Sequence, residues 1–118
     1  MSYFKIKEFE CPCCGKVTVS GWLIHLLNQV RENYGKPIYI NSGFRCKKHN
    51  KEVGGKSDSA HLEGGAADLR CTNSTDRFML LFLILLAGFK RIGIHEKFIH
   101  VDVVETDKDK PQEVLWMY

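Results

Sequence analysis

The 118-residue sequence predicts an α+β fold, a small antiparallel sheet with helices packed on it. Two observations carry this. Two apolar stretches are bracketed by helix-capping and helix-ending residues, and three strand-like runs follow one another at the end of the chain. No repeat, low-complexity tract or linker interrupts the pattern, so residues 1–118 read as a single domain with a modest core.

Taken in order, Phe4, Ile6 and Phe9 should anchor an N-terminal segment onto that core. Ser20 can cap a helix running to about Tyr34, with Trp22, Leu23, Leu26, Leu27 and Val30 as its apolar stripe. Gly35 and Pro37 end it. His25, inside this helix, has no partner among its neighbours and reads as a surface or core-edge residue.

Residues 37–41 read as a strand, and Lys47 to Val53 as a helical turn closed by Gly54-Gly55. Ala66 to Cys71 is a strand with Ala66, Asp68 and Arg70 on one face and Ala67 and Leu69 on the other. Ser74 or Thr75 should cap a second helix, about Asp76 to Ala87, terminated by Gly88. That helix is apolar almost all round, which marks it as a buried core element. Phe89 to His95 and Phe98 to Val104 form two strands joined near Glu96-Lys97. A charged loop from Glu105 to Pro111 leads to a last strand, Val114 to Tyr118.

The composition, 44% hydrophobic and 26% charged, excludes a disordered chain. A net charge of +3 without a dense Lys/Arg block is a poor footprint for nucleic acid, though it suits an anionic polymer weakly. The most hydrophobic run, Phe78 to Ala87, is about half the length needed to cross a bilayer. The N-terminus has no signal-type apolar core, so synthesis in the cytoplasm without a Sec signal is expected. No membrane or nucleic-acid partner is expected, and the chain should be a monomer.

Five cysteines argue against a full disulfide framework and for a reducing compartment. Cys11-Pro-x-Cys14-Gly15 looks like half of a zinc knuckle. Cys46 and Cys71 stand isolated, so the other half is missing and a second, structural zinc at Cys11 and Cys14 is not expected. Small buried thiols or turn residues are the simpler reading.

The chemistry concentrates elsewhere. Ser59-Ala-His-Leu-Glu-Gly-Gly-Ala-Ala-Asp68 sets an imidazole and a carboxylate around small residues, and Phe98-Ile-His-Val-Asp-Val103 adds a second His and Asp. Two histidines and a carboxylate from separate segments make an open zinc site, with three protein ligands and one free position. His61, Asp68 and His100 are the ligands on this reading, and a zinc hydrolase is the expected function.

The segment Ser59-x-His61-x-x-Gly64-x-Ala66-x-Asp68 is complete. With His100-x-Asp102 downstream and Ser42-Gly-Phe-Arg45 upstream, it resembles the zinc D-Ala-D-Ala carboxypeptidases. These belong with the lysostaphin-type peptidases and the hedgehog signalling domain in one superfamily. The match runs from about Tyr39 to Val103, and the Asn50 to Gly55 stretch looks like the small single-domain members of phages and bacteria. The resemblance implies that His61, Asp68 and His100 hold a catalytic zinc on the sheet. It implies that Ser59 helps hold a substrate carboxylate, and that Arg45 polarises the scissile carbonyl or binds the oxyanion. Arg45 could instead pair with a carboxylate such as Asp102.

The general base departs from the family pattern. Many relatives carry Glu or Asp three residues before the last His, where this chain has Lys97. Glu96 is the favoured candidate, and Asp102, on the His100 face, is the other; Asp102 could equally orient a ligand. His95 is a candidate hydrogen-bond donor to substrate or a surface residue, and Glu63 has no family role and reads as solvated.

The implied reaction is zinc-dependent hydrolysis of an amide bond in a peptidoglycan stem peptide, of the D-Ala-D-Ala carboxypeptidase or L,D/D,D-endopeptidase type. Such a protein would act on the cell wall as a phage lytic, tail-associated or prophage product. The hedgehog domain shows that such a site can serve binding, so a non-catalytic zinc module for cell wall or a protein partner is the rival. A nucleic-acid binder built on the cysteine knuckle is weaker, because the charge is near neutral.

Overall fold

The computed structural model describes residues 2–104 and 111–118. Helix α1 spans Gly21–Tyr34, strand β1 Ile40–Ser42, helix α2 Lys47–Glu52 and strand β2 Ala66–Arg70. Helix α3 follows over Ser74–Ala87, then strands β3 (Arg91–Ile94), β4 (Phe98–Asp102) and β5 (Val114–Met117). Short 3-10 turns cover Ile6–Phe9 and Ala60–Glu63. The α+β expectation holds, and 105–110 of the charged loop lie outside the described residues.

The five strands form one mixed sheet in the order β1-β2-β4-β3-β5. The pairs β1–β2, β2–β4 and β3–β4 are antiparallel, but β5 runs parallel to β3. The expectation of an all-antiparallel sheet fails at this edge for a topological reason. The chain leaves β4 at Asp102, opposite Arg91 at the start of β3, and re-enters the sheet at Val114, opposite the same Arg91. It therefore travels in the β3 direction.

Ser20 caps α1, its side chain accepting from the Leu23 amide, and Gly35 closes the helix at φ 76°. Helix α3 starts two residues before the predicted Asp76, because the cap is Asn73 rather than Ser74 or Thr75. The Asn73 side chain accepts from the Asp76 amide at 2.9 Å. Strand β1 is displaced toward the C-terminus of its predicted range, with Ile38 left buried in the core outside it.

Leu23, Leu26, Leu27 and Val30 of α1 and Leu80, Leu83 and Ile84 of α3 pack on Ala67, Leu69, Ile92, Ile94, Ile99 and Val101 of the sheet. Phe4 and Phe9 join them, while Ile6 stays exposed. Trp22 also leaves the predicted stripe: it is exposed and stacks on the exposed His25. Helix α3 is not buried all round. Phe78, Met79, Phe82, Leu85 and Leu86 are exposed, because α3 meets α1 and the sheet along only one side.

Period-two alternation decides what the other sheet face carries. With Ala67, Leu69, Ile99 and Val101 turned into the core, Asp68, His100 and Asp102 fall on the face away from the helices. The register sets Asp68 directly opposite His100.

Candidate metal centre

His61 reaches that face from the 3-10 turn that precedes β2. Gly64 ends this turn at φ 75°, and a Cβ there would lie 2.0 Å from the Thr18 carbonyl oxygen, so the motif glycine is required twice over. The turn is pinned further by the Ser59 side chain, which accepts from the His61 amide at 3.2 Å, and by the Arg45 amide donating to the His61 carbonyl at 3.0 Å.

Three potential ligand atoms converge. His61 Nε2 lies 3.2 Å from Asp68 Oδ1, and His100 Nδ1 lies 3.0 Å from the same oxygen. All three residues are buried, at 2%, 6% and 5% exposure. Each histidine is held by its other nitrogen. His61 Nδ1 sits 2.6 Å from the Gly43 carbonyl oxygen, which can only accept, so the ring proton is on Nδ1 and the Nε2 lone pair faces the cluster. His100 Nε2 sits 2.8 Å from Asp102 Oδ2, which leaves Nδ1 for the cluster by the same logic.

Oriented imidazoles backed by a carbonyl and a carboxylate are the outer arrangement that metal-binding histidines use. Two neutral nitrogens and one carboxylate, at mutual distances a small ion can bridge, fit zinc in a site with an open position. Burial opposes ionisation of Asp68, but its close contacts with the His100 and His61 rings outweigh it and hold its pKa well below the usual carboxylate range. Burial likewise opposes protonation of His100, yet the Asp102 and Asp68 carboxylates raise its pKa above the ordinary value.

Arg45 lies against this centre. Its Nη2 is 3.3 Å from Asp68 Oδ2, its Nε donates to Ser42 Oγ at 3.1 Å, and its Nη1 donates to Asn50 Oδ1 at 3.2 Å. The alternative of an ion pair between Arg45 and a carboxylate is thus realised, but with Asp68 rather than Asp102. Asp102 is paired with Arg91, whose Nε donates to Oδ1 at 2.8 Å across the β3–β4 ladder. Both oxygens of Asp102 are thus engaged, and its side chain is 1% exposed.

His95 follows β3 and stacks on Phe98 with ring centroids 4.5 Å apart. The Lys97 amide donates to His95 Nδ1 at 3.0 Å, so the neutral ring carries its proton on Nε2. Glu96 is exposed in the same turn; Arg77 Nη2 holds its carbonyl at 2.7 Å. Among the described residues, no hydrogen bond or ion pair joins the Glu96 carboxylate to the cluster. Glu63 is exposed, as expected.

The sequence reading passed over an aromatic wall on β5. Trp116 lies 5.3 Å from the His100 ring, and Tyr118 packs edge-on against both His95 and Phe98. A Cβ at Gly93 would come within 2.5 Å of the Trp116 indole, so the glycine is what lets this ring lie over the strand beside His100. The alternation of Trp116 and Tyr118 on a strand was the available signal.

Residues 2–102 match the Peptidase M15 family. The chain belongs to that family. Zinc fits the His61–Asp68–His100 cluster, whose three side chains could hold the ion. The chain is also similar to the zinc D-Ala-D-Ala carboxypeptidase of Streptomyces albus G, with 56% identity over 34 residues. That segment is 29% of this chain and 13% of the relative, so the two share only a small part of the relative's length.

Proposed function

We propose that the chain hydrolyses an amide bond in peptidoglycan stem peptides, as a D-Ala-D-Ala carboxypeptidase or an L,D/D,D-endopeptidase. The observation that carries this is the His61–Asp68–His100 cluster, pre-oriented by the Gly43 carbonyl and Asp102 on the sheet face away from the helices. The name of the Streptomyces relative supports the substrate class. When bound, zinc supplies a Lewis acid and brings the pKa of water at the open position near neutrality.

The chain's own residues do the rest. Arg45 keeps a fixed positive charge beside the cluster, where it can stabilise the oxyanion that develops on the scissile carbonyl. Ser59 Oγ accepts from the His61 amide, which leaves its hydroxyl proton free to donate to a substrate carboxylate. His95 Nε2–H is a second donor, set beside the aromatic wall of Phe98, Trp116 and Tyr118 that would flank the peptide. Asp102, saturated by His100 and Arg91, is a positioning residue on this reading. The proton-accepting carboxylate is then Glu96, whose side chain is exposed next to His95.

A second reading rests on one observation: the position three residues before His100 is Lys97 rather than a carboxylate. A zinc-containing binding module for the cell wall needs no base. Mass spectrometry of muropeptides after digestion separates the two and names the bond. New chain ends that disappear with chelator support hydrolysis. Zinc-loaded protein that binds peptidoglycan and cuts no stem peptide rejects it. Glu96→Gln should abolish turnover with zinc retained; full activity in that variant would exclude Glu96 as the base. The proposed site of action is the cell wall, in the manner of a phage lysin.

A further inference from the structure

A second sulfur-rich cluster lies outside the peptidase centre. Cys11, Cys13, Cys14 and Cys46 bring their sulfurs within 4.8 Å of one another. Cys46 is not isolated, contrary to the sequence reading: its sulfur is 3.2 Å from Cys13 Sγ and 3.7 Å from Cys11 Sγ. Cys11 and Cys13 are 3.6 Å apart. The other half of the knuckle is supplied across the fold by the residue that caps α2.

These separations have a chemical meaning. Disulfide-bonded sulfurs lie about 2.0 Å apart, so none of these pairs is a disulfide. Four sulfurs about 2.3 Å from a central zinc sit at tetrahedral corners about 3.8 Å apart, close to two of the three distances above. The backbone is arranged as around a thiolate-bound metal. The Cys46 amide donates to Cys11 Sγ at 3.5 Å and the His49 amide to Cys46 Sγ at 3.4 Å. The turn is closed by Gly15 N to Cys11 O and by Cys11 N to Lys16 O, both 2.8 Å. Without a metal, four thiols would be gathered here with only weak sulfur hydrogen bonds to hold them.

We propose that Cys11, Cys13, Cys14 and Cys46 bind a second, structural zinc, which fastens the N-terminal turn to α2. A four-thiolate tetrahedral site selects zinc over harder divalent ions. The fastening bears on the peptidase centre because residues 43–46 are one continuous bracket. The Phe44 amide donates to the Phe9 carbonyl at 2.8 Å, the Gly43 carbonyl takes His61 Nδ1, and Arg45, next to Cys46, reaches Asp68. The structural zinc thus holds the loop that orients one zinc ligand and places the proposed oxyanion contact.

Metal analysis of the full chain purified with a reductant is expected to give two zincs per molecule. Cys46→Ser and His61→Ala should each keep one, and the double variant none. The remaining zinc of Cys46→Ser should be roughly tenfold easier to remove by a competing chelator, as for loss of an outer-shell support. If Cys46→Ser does not fold, cobalt exchange into the unmodified chain answers the same question. Four sulfur ligands give an intense near-ultraviolet sulfur-to-cobalt band that a His–Asp–His site lacks. One zinc per chain without that band, a disulfide within the cluster, or iron in place of zinc would each overturn the proposal. None of these readouts requires peptidase activity, so failure here is separable from failure of the proposed reaction.

Discussion

Asp102 Oδ2 lies 2.8 Å from His100 Nε2, on the opposite side of the ring from Asp68, and Arg91 holds the other Asp102 oxygen. This carboxylate–imidazole contact fixes which nitrogen His100 offers to the metal. Asp102→Asn replaces one acceptor by a donor, so zinc affinity should fall about 10- to 100-fold with the fold intact. Asp102→Ala also strands Arg91 and should cost about 3 kcal/mol of stability. Chelator competition and urea denaturation of the two variants check both effects; unchanged zinc affinity in Asp102→Asn would refute the positioning role.

Trp116 and Tyr118 should serve substrate rather than metal. Their rings lie beside His100 and His95, yet neither offers a ligand atom to the cluster. Trp116→Ala is expected to raise KM by about tenfold or more while leaving one zinc at the His–Asp–His site, since removal of a partly exposed aromatic contact costs about 1–3 kcal/mol. Gly93→Ala should act similarly by displacing the indole. Loss of zinc in Trp116→Ala would place that ring in the support of the metal site instead.

How the metal-free protein responds to pH follows from two opposed shifts. Asp68 has a depressed folded pKa, so its contribution is fully present above the ordinary Asp value of about 3.9 and is lost as pH falls through the folded value. His100 has a raised folded pKa, so its contribution is present below about 6.5 and is lost as pH rises through the folded value. The chelated chain should therefore be most stable between about pH 4 and 6.5, measured as urea midpoints across that range. Zinc needs His100 deprotonated, so zinc binding should release a proton near neutrality and tighten as pH rises. A zinc affinity that does not change from about pH 6 to 8 would contradict the His100 shift.

The His61–Asp68–His100 cluster was legible because each signal was local. Ser59 to Asp68 is a continuous motif, and period two fixes the side of the strand on which Asp68 and His100 stand. The Arg91–Asp102 pair was within reach too: once the hairpin turn is placed at Glu96-Lys97, the register sets these residues opposite each other. Cys46 was not legible, since it approaches Cys13 across 33 positions of chain and only the folded 43–46 bracket brings it there. The exposed face of α3 was misread because hydrophobicity all round a helix reports how much it could bury. How much it does bury depends on the surface available, and α1 with one sheet face covers only Leu80, Leu83 and Ile84.

The start of α3 offers a sharper test, because sequence and structure nominate different residues. Ser74 and Thr75 are good capping types, but the structure places both inside the helix and gives the cap to Asn73. Asn73 is extended, with φ −139° and ψ 158°, and its side chain accepts the Asp76 amide at 2.9 Å while its amide group donates to the Asp76 carboxylate at 2.8 Å. It satisfies a free helix amide and tethers an acidic residue in the first turn, where the helix dipole favours negative charge. Asn73→Ala should cost about 1 kcal/mol, or roughly 4 °C in Tm for a chain of this size. Ser74→Ala and Thr75→Ala should each stay within about 0.5 kcal/mol of the unmodified chain. Thermal melts of the three single variants decide it: a larger loss in Ser74→Ala than in Asn73→Ala would move the cap one residue along and shorten α3 to match.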